Sequence, residues 1–122
     1  MKTDRPVSLT MFPQPISAIV SISHRATGVA LFVGIAFALY ALDLGMSSPE
    51  GFAEAQALLQ TPLAAFILLG LIFVLMFHIF AGIKHLLLDF HVGDTFAAAK
   101  ASAIGVIVLS VLSTVIIGAT LW

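Results

Sequence analysis

The stretch Ala55–Ile83, with the sequence AQALLQTPLAAFILLGLIFVLMFHIFAGI, contains no Asp, Glu, Lys or Arg. A helix that crosses about 30 Å of hydrocarbon needs roughly 20 predominantly apolar residues, and this stretch supplies them. Its residues do not alternate between polar and apolar, as the strands of a transmembrane β-barrel do. The stretch therefore predicts a membrane-spanning helix.

Two further charge-free stretches, Ala26–Leu42 and Ala101–Trp122, lie on either side of it along the chain. The second is long enough to cross the bilayer, and the first becomes long enough if it extends back through Ile16. We therefore expect an all-α membrane protein with one membrane-anchor domain over residues 1–122, in which residues 1–15 form an irregular N-terminal segment. The three transmembrane helices are predicted at about residues 16–44, 62–88 and 98–121.

The composition of the chain excludes several classes of function. Of the 122 residues, 61% are hydrophobic and 9% are charged, whereas a water-soluble domain usually carries about 25% charged residues. The net charge of −1 provides no basic field for nucleic acid. Because the chain has no cysteine, it cannot ligate an iron–sulfur cluster or form a thiolate zinc site. Any metal or redox chemistry must use His or ligands from another chain.

Proline, glycine and capping residues predict where the helices begin and end. Gly45 is expected to end the first span, and Ser48-Pro49 to begin a short helix after it. Thr61-Pro62 predicts the start of the second span. His91–Thr95 is the predicted turn before a third long helix that begins near Phe96.

The positions of the Lys and Arg residues predict the orientation in the membrane. All five lie in or beside the N-terminal segment or in the Lys84–Lys100 connection, and the Asp43–Glu54 loop has none. Lys and Arg accumulate in cytoplasmic loops. The N-terminus is therefore predicted in the cytoplasm and the C-terminus on the periplasmic side.

The ionisable residues of the first two spans gather near the cytoplasmic surface. Counting 1.5 Å per residue from the opposite end places Arg25 at the boundary, with His24 just outside it and Ser21 about one turn further out. The same count puts His78 inside hydrocarbon, roughly 6–8 Å from that surface, and His85 at the surface. Because burying an ionisable group in a membrane is costly, such a cluster is a functional hypothesis.

These residues also share helix faces. At 100° per residue, each of the first two spans is predicted to carry one polar face near the cytoplasm. On the first span this face consists of Ser21, His24, Arg25 and Gly28. On the second span it consists of His78, Gly82, His85 and Asp89. An imidazole in hydrocarbon, with a glycine one turn away and polar groups at the surface, suits a flat apolar ligand with a charged edge. Haem has this shape, and axial ligation by His is one of its standard modes.

One chain does not complete such a site. His78 and His85 lie two turns apart, about 10 Å, so they cannot ligate one iron from opposite sides. The second axial ligand must come from His24 or from another chain, and the count places His24 too near the surface. A partner subunit is therefore expected.

Simpler interpretations and other functions remain open from the residues alone. The simplest interpretation makes His78 a hydrogen-bonding group between helices and Arg25 a snorkelling anchor, with the charges from Lys84 to Lys100 in a solvated loop. A small transporter or channel subunit, with Arg25 and His78 along an ion path, is a second function. A purely structural membrane anchor is a third. Transporters generally need broken helices or inverted repeats, and the sequence shows neither.

Three segments resemble a known family: Arg5-Pro6, the segment SISHRATG at Ser21–Gly28, and the segment HIFAGIKH at His78–His85, which Asp89 follows. They are similar to the signature segments of the cytochrome b556 subunit of succinate dehydrogenase, one of the two membrane anchors of complex II. The resemblance covers nearly the whole chain. It implies haem b shared with a second membrane anchor subunit, ubiquinone as substrate, and a place in the bacterial inner membrane.

The resemblance also implies roles for individual residues. His78 would be the axial ligand of the haem iron, and Ser21 and Arg25 would bind the quinone. His24, Arg25 and His85 would lie near the haem propionates. None of these residues would be catalytic toward succinate, because the flavoprotein subunit would oxidise it and the iron–sulfur subunit would pass on the electrons in the respiratory chain and tricarboxylic acid cycle.

Two positions depart from the family pattern. Lys84 stands where the family usually has Arg, which keeps the positive charge but loses the planar two-pronged donor. His91 stands where a small residue is common.

Overall fold

The computed structural model describes residues 15–122, and all of the regular structure in this range is helical. Its four helices are α1 (Pro15–Ser47), α2 (Pro49–Leu59), α3 (Pro62–Asp89) and α4 (Phe96–Leu121). By length and composition α1, α3 and α4 can each cross a membrane, which confirms the prediction of an all-helical chain with three apolar spans. Of the predicted irregular segment, residues 1–15, the first fourteen lie outside the described residues together with the Arg5-Pro6 motif, and Pro15 already belongs to α1.

Three short polar side chains cap the helices that follow them. Ser48 accepts a hydrogen bond from the backbone N–H of Gly51 at 2.9 Å, and Thr61 and Thr95 accept equivalent bonds at the starts of α3 and α4. Each cap satisfies a backbone N–H that has no partner within its helix. The helix starts predicted from the sequence are confirmed.

The prediction that Gly45 ends the first span is wrong, because α1 continues through it to Ser47. A Cβ atom on Gly45 would lie 3.7 Å from the Cβ of Ala55, and one on Gly51 would collide with the carbonyl oxygen of Leu44. Gly51 therefore lets α2 fold back closely against the end of α1. Gly45 lies beside this contact, where a Cβ atom would make only an ordinary van der Waals contact, and it does not end the helix.

The end of α3 is a Schellman motif with His91 in the left-handed position. The N–H of His91 donates to the carbonyl of Leu88 at 2.9 Å, and that of Val92 to the carbonyl of Leu87 at 2.8 Å. His91 has a φ of 61°. This position usually holds glycine, because a side chain is strained there.

The helix α3 packs against both α1 and α4. The core lies in the half of the bundle where α1 begins and α3 ends, and it consists of Val20, Phe77, Ala81, Ala103 and Val106. Most other large apolar side chains are exposed, including Phe32 at 82%. Apolar exposure on this scale suits lipid as the surrounding solvent.

Candidate functional site

Two glycines make room for two imidazoles between α1 and α3. A Cβ on Gly28 of α1 would lie 3.2 Å from Cε1 of His78, and a Cβ on Gly82 of α3 would lie 3.4 Å from Nε2 of His24. Each helix thus presents a glycine to the histidine of the other. The two rings occupy space that larger side chains would take.

Three imidazoles meet at this point and are called the histidine cluster here: His24, His78 and His85. The rings of His24 and His78 are stacked, with centroids 4.2 Å apart and planes 10° from parallel. The ring of His85 meets that of His24 edge-on, at 5.1 Å and 69°. The three residues, which the sequence predicts at one membrane level, are thus joined by the ring contacts of His24.

The Nδ1 atom of His78 is held from across the helix interface. It lies 3.2 Å from the carbonyl oxygen of His24 and 3.1 Å from Oγ1 of Thr27. Since a carbonyl oxygen only accepts hydrogen bonds, the proton of the neutral ring belongs on Nδ1. The Nε2 atom then keeps its lone pair, and it has no hydrogen-bond partner among the described residues.

The predicted separation of His24 from His78 is wrong for their side chains. The Nε2 atom of His24 lies against Gly82, one turn along α3 from His78. The rings of His24 and His78 nevertheless stack on each other. Counting residues along a helix measures backbone depth and leaves out the reach of a side chain.

The two residues expected to bind quinone lie beside the cluster rather than in it. Ser21 is half-buried and Arg25 is exposed, one turn apart on α1. Among residues 15–122, no hydrogen bond joins either of them to the three imidazoles. Their side chains are open to a ligand or a partner that approaches α1 from outside.

Lys84 differs from its expected surroundings. It was grouped with a solvated loop, but only 6% of its surface is exposed. It follows Phe77 and Ala81 by helical spacing on the face of α3 that packs into the core. The other members of the group, Asp89, Asp94 and Lys100, are exposed as expected.

The histidine cluster suits a metal cofactor in which the cofactor itself supplies most of the metal's ligands. Within the described range, no three His, Asp or Glu side chains are arranged to hold a bare metal ion. A single His whose Nδ1–H is bound by a carbonyl oxygen is the usual arrangement of a metal-ligating imidazole. Haem needs only axial ligands from the protein, so His78 suits it.

The fold and the cluster define a small helical membrane protein with an imidazole site between two of its spans. The chain belongs to the succinate dehydrogenase/fumarate reductase transmembrane subunit family, whose model matches residues 1–117. The members of this family are membrane anchors of complex II. Membership confirms the resemblance and decides against the transporter or channel alternative.

Individual relatives agree with this assignment. The chain is 35% identical to the succinate dehydrogenase cytochrome b556 subunit of Coxiella burnetii over the full length of both proteins. It is 34% identical to the subunit of the same name from Paracoccus denitrificans, covering 93% of this chain and 92% of the relative. It is also 33% identical to the mitochondrial cytochrome b560 subunit of Sus scrofa, covering 93% of this chain and 69% of that protein.

Proposed function

We propose that this chain binds haem b through His78 and helps to form a ubiquinone-reducing site through Ser21 and Arg25. It would act as one of two membrane anchors of a succinate:quinone oxidoreductase. One observation carries the proposal: Nδ1 of His78 is held by the His24 carbonyl and by Thr27, which leaves Nε2 available as a ligand atom. The relatives are named as cytochrome b subunits, which agrees with haem as the ligand.

Bound haem supplies an iron centre that accepts and releases one electron. The chain's own residues hold and orient it. His78 would provide a nitrogen ligand to the iron, Gly28 leaves space beside its ring, and His24 and His85 place further imidazoles next to it. Arg25, His24 and His85 are the groups proposed to meet the propionates, because their N–H groups donate to carboxylates.

The second axial ligand is proposed to come from the second membrane anchor subunit. His24 is the nearest alternative, but its ring is stacked face to face on that of His78, 4.2 Å away. Two rings in face-to-face contact leave no space for a haem between them, so they would not hold it from opposite sides. The haem would therefore lie between two subunits.

The proposed quinone contacts follow from the positions of Ser21 and Arg25. Both side chains lie on one turn of α1, and a headgroup that enters from the lipid meets them while its tail stays in hydrocarbon. The Ser21 hydroxyl and the Arg25 guanidinium donate hydrogen bonds to the quinone oxygens, and the positive charge of Arg25 favours the reduced, anionic forms. This chain has no cysteine, so the electrons arrive through the iron–sulfur subunit, after the flavoprotein subunit has oxidised succinate.

The proposed location is a bacterial inner membrane, with the chain as a single membrane-anchor domain over residues 1–122. Residues 1–15 and the connection between α3 and α4 would face the cytoplasm, and the C-terminus would face the periplasm. The distribution of Lys and Arg supports this orientation. It places the histidine cluster near the side on which the succinate-oxidising subunits would bind.

A reduced-minus-oxidised optical spectrum of the purified complex tests the haem proposal. The wild-type complex should show the α-band of a b-type cytochrome. His78→Leu should remove it, and the matched variant His85→Leu should only shift the spectrum. Loss of the band in His85→Leu with a normal band in His78→Leu would reverse the assignment, and an assembled wild-type complex without the band would reduce the chain to a structural anchor.

A further inference from the structure

We propose that Thr27 is a positioning residue for His78, and that its hydroxyl sets the orientation and the basicity of the imidazole that ligates the haem iron. This inference rests on the proposed function, in which His78 is that ligand. It assigns a role to a residue that the sequence analysis did not single out.

Three polar atoms form a closed triangle between α1 and α3. Oγ1 of Thr27 lies 2.9 Å from the carbonyl oxygen of His24 and 3.1 Å from Nδ1 of His78, and the third side, from that Nδ1 to the carbonyl, is 3.2 Å. The Thr27 hydroxyl donates to the carbonyl, and the Nδ1–H is shared between the two oxygens. Both donors thus have acceptors, and both acceptors are on α1.

The bond within α1 fixes where the Thr27 hydroxyl points. Threonine in a helix commonly donates to the carbonyl three or four residues earlier, as Thr114 and Thr120 do in α4. Thr27 differs from these two because its oxygen also contacts a side chain 51 residues away. The intrahelical bond holds the oxygen lone pairs toward α3, ready to accept from His78.

The chemical consequence follows from the direction of this bond. An acceptor at Nδ1–H raises the electron density of the ring and makes Nε2 a stronger ligand. A stronger ligand favours ferric over ferrous iron and lowers the reduction potential. The same bond resists rotation of the ring, which keeps Nε2 aimed at one point.

Thr27→Val tests the proposal in the assembled complex, because valine keeps the shape of threonine and loses only the hydroxyl. Losing an outer partner of a metal ligand typically changes metal affinity 10- to 100-fold. We expect haem affinity to fall about tenfold, and the potential to rise by about 59 mV for each tenfold loss of ferric preference. Haem content, ferric electron paramagnetic resonance and redox titration measure these changes. Thr27→Ser, which keeps the hydroxyl, should restore wild-type values.

Thr114→Val is the matched control, because Thr114 is also partly buried and bonds only within its own helix among the described residues. Equal haem content, resonance spectrum and potential in Thr27→Val and Thr114→Val would overturn the proposal. If Thr27→Val does not assemble, Thr27→Ala and Thr27→Ser make the same comparison, since they differ by one hydroxyl, and equal potentials would again overturn it. The His78→Leu variant distinguishes a failure of the proposed function from a failure of this inference. A normal haem spectrum in His78→Leu refutes the proposed function. Loss of haem in His78→Leu, with wild-type haem properties in the Thr27 variants, refutes this inference alone.

Discussion

Adding one methyl group at Gly28 is expected to displace the imidazole of His78. The new Cβ atom would lie 3.2 Å from Cε1 and 3.8 Å from Nδ1 of that ring. Nonbonded carbon atoms prefer about 3.5–4.0 Å, so the ring must move by a few tenths of an ångström. It cannot move freely, because it is stacked on His24 and its Nδ1 is held by His24 and Thr27.

The stability and the haem properties should therefore respond differently to Gly28→Ala. Alanine favours a helix over glycine by about 0.8–1.0 kcal/mol, and weakening the Nδ1 hydrogen bond costs about 0.5–1.5 kcal/mol. These two effects nearly cancel in the free energy of unfolding. At Gly70 and Gly105 a Cβ would meet nothing within 4 Å, so alanine there should stabilise the helix by about 1 kcal/mol and leave the haem unchanged.

The assay compares Gly28→Ala with these two control variants in the purified complex. Haem content, the optical α-band and the ferric resonance spectrum report on the ligand, and thermal unfolding in detergent reports on stability. Gly28→Ala should shift the haem spectra without a gain in stability. If its haem spectra match those of the controls and its stability rises as theirs does, the ring is not confined as the contacts indicate, and the reasoning fails.

Three further predictions address the helix end, the quinone and the topology. His91→Gly should raise the free energy of unfolding by about 1 kcal/mol, since it relieves the left-handed backbone; thermal unfolding measures this, and a value no higher than that of His91→Ala, which keeps a Cβ atom, would contradict it. Arg25→Leu removes a charged donor that contributes about 1.5–3 kcal/mol and Ser21→Ala a neutral one of about 0.5–1.5 kcal/mol. The rate of ubiquinone reduction, normalised to succinate oxidation with a soluble acceptor, should therefore fall further in Arg25→Leu than in Ser21→Ala. Full activity in an assembled Arg25→Leu complex would show that Arg25 serves only as a snorkelling anchor. Reporter fusions at Ser48 and Gly93 should read periplasmic and cytoplasmic, respectively, and the reverse pattern would invert the proposed orientation.

The helices could be predicted because their signals are local. A charge-free stretch of sufficient length predicts a span by itself, and Ser48, Thr61 and Thr95 predict helix starts through bonds that reach only three residues. Gly45 was misread because nothing in its sequence neighbourhood distinguishes a glycine inside a helix from a glycine at a helix end. In the structure α1 continues through it to Ser47.

The site could be predicted only as far as helical periodicity reaches. Periodicity placed His24 and His78 on polar faces near one surface, but it does not say how two helices are aligned or how far their side chains extend. The stacking of the two rings depends on both. Thr27 was missed for the same reason, because its bond to His24 is ordinary within a helix and its importance comes from α3. The burial of Lys84 also depends on packing between helices.

The exposure of the histidine cluster argues that this chain contributes only part of the site. One face of α3 packs into the core through Phe77 and Ala81, and the next face around the helix carries the imidazoles of His78 and His85, which meet α1 but stay half-buried. Polar groups left facing hydrocarbon each cost several kcal/mol, about as much as an unmade hydrogen bond. A stable assembly must therefore cover the remaining imidazole surface with groups that can bond to it. The haem and the second anchor subunit proposed above would meet that requirement, whereas lipid alone would not.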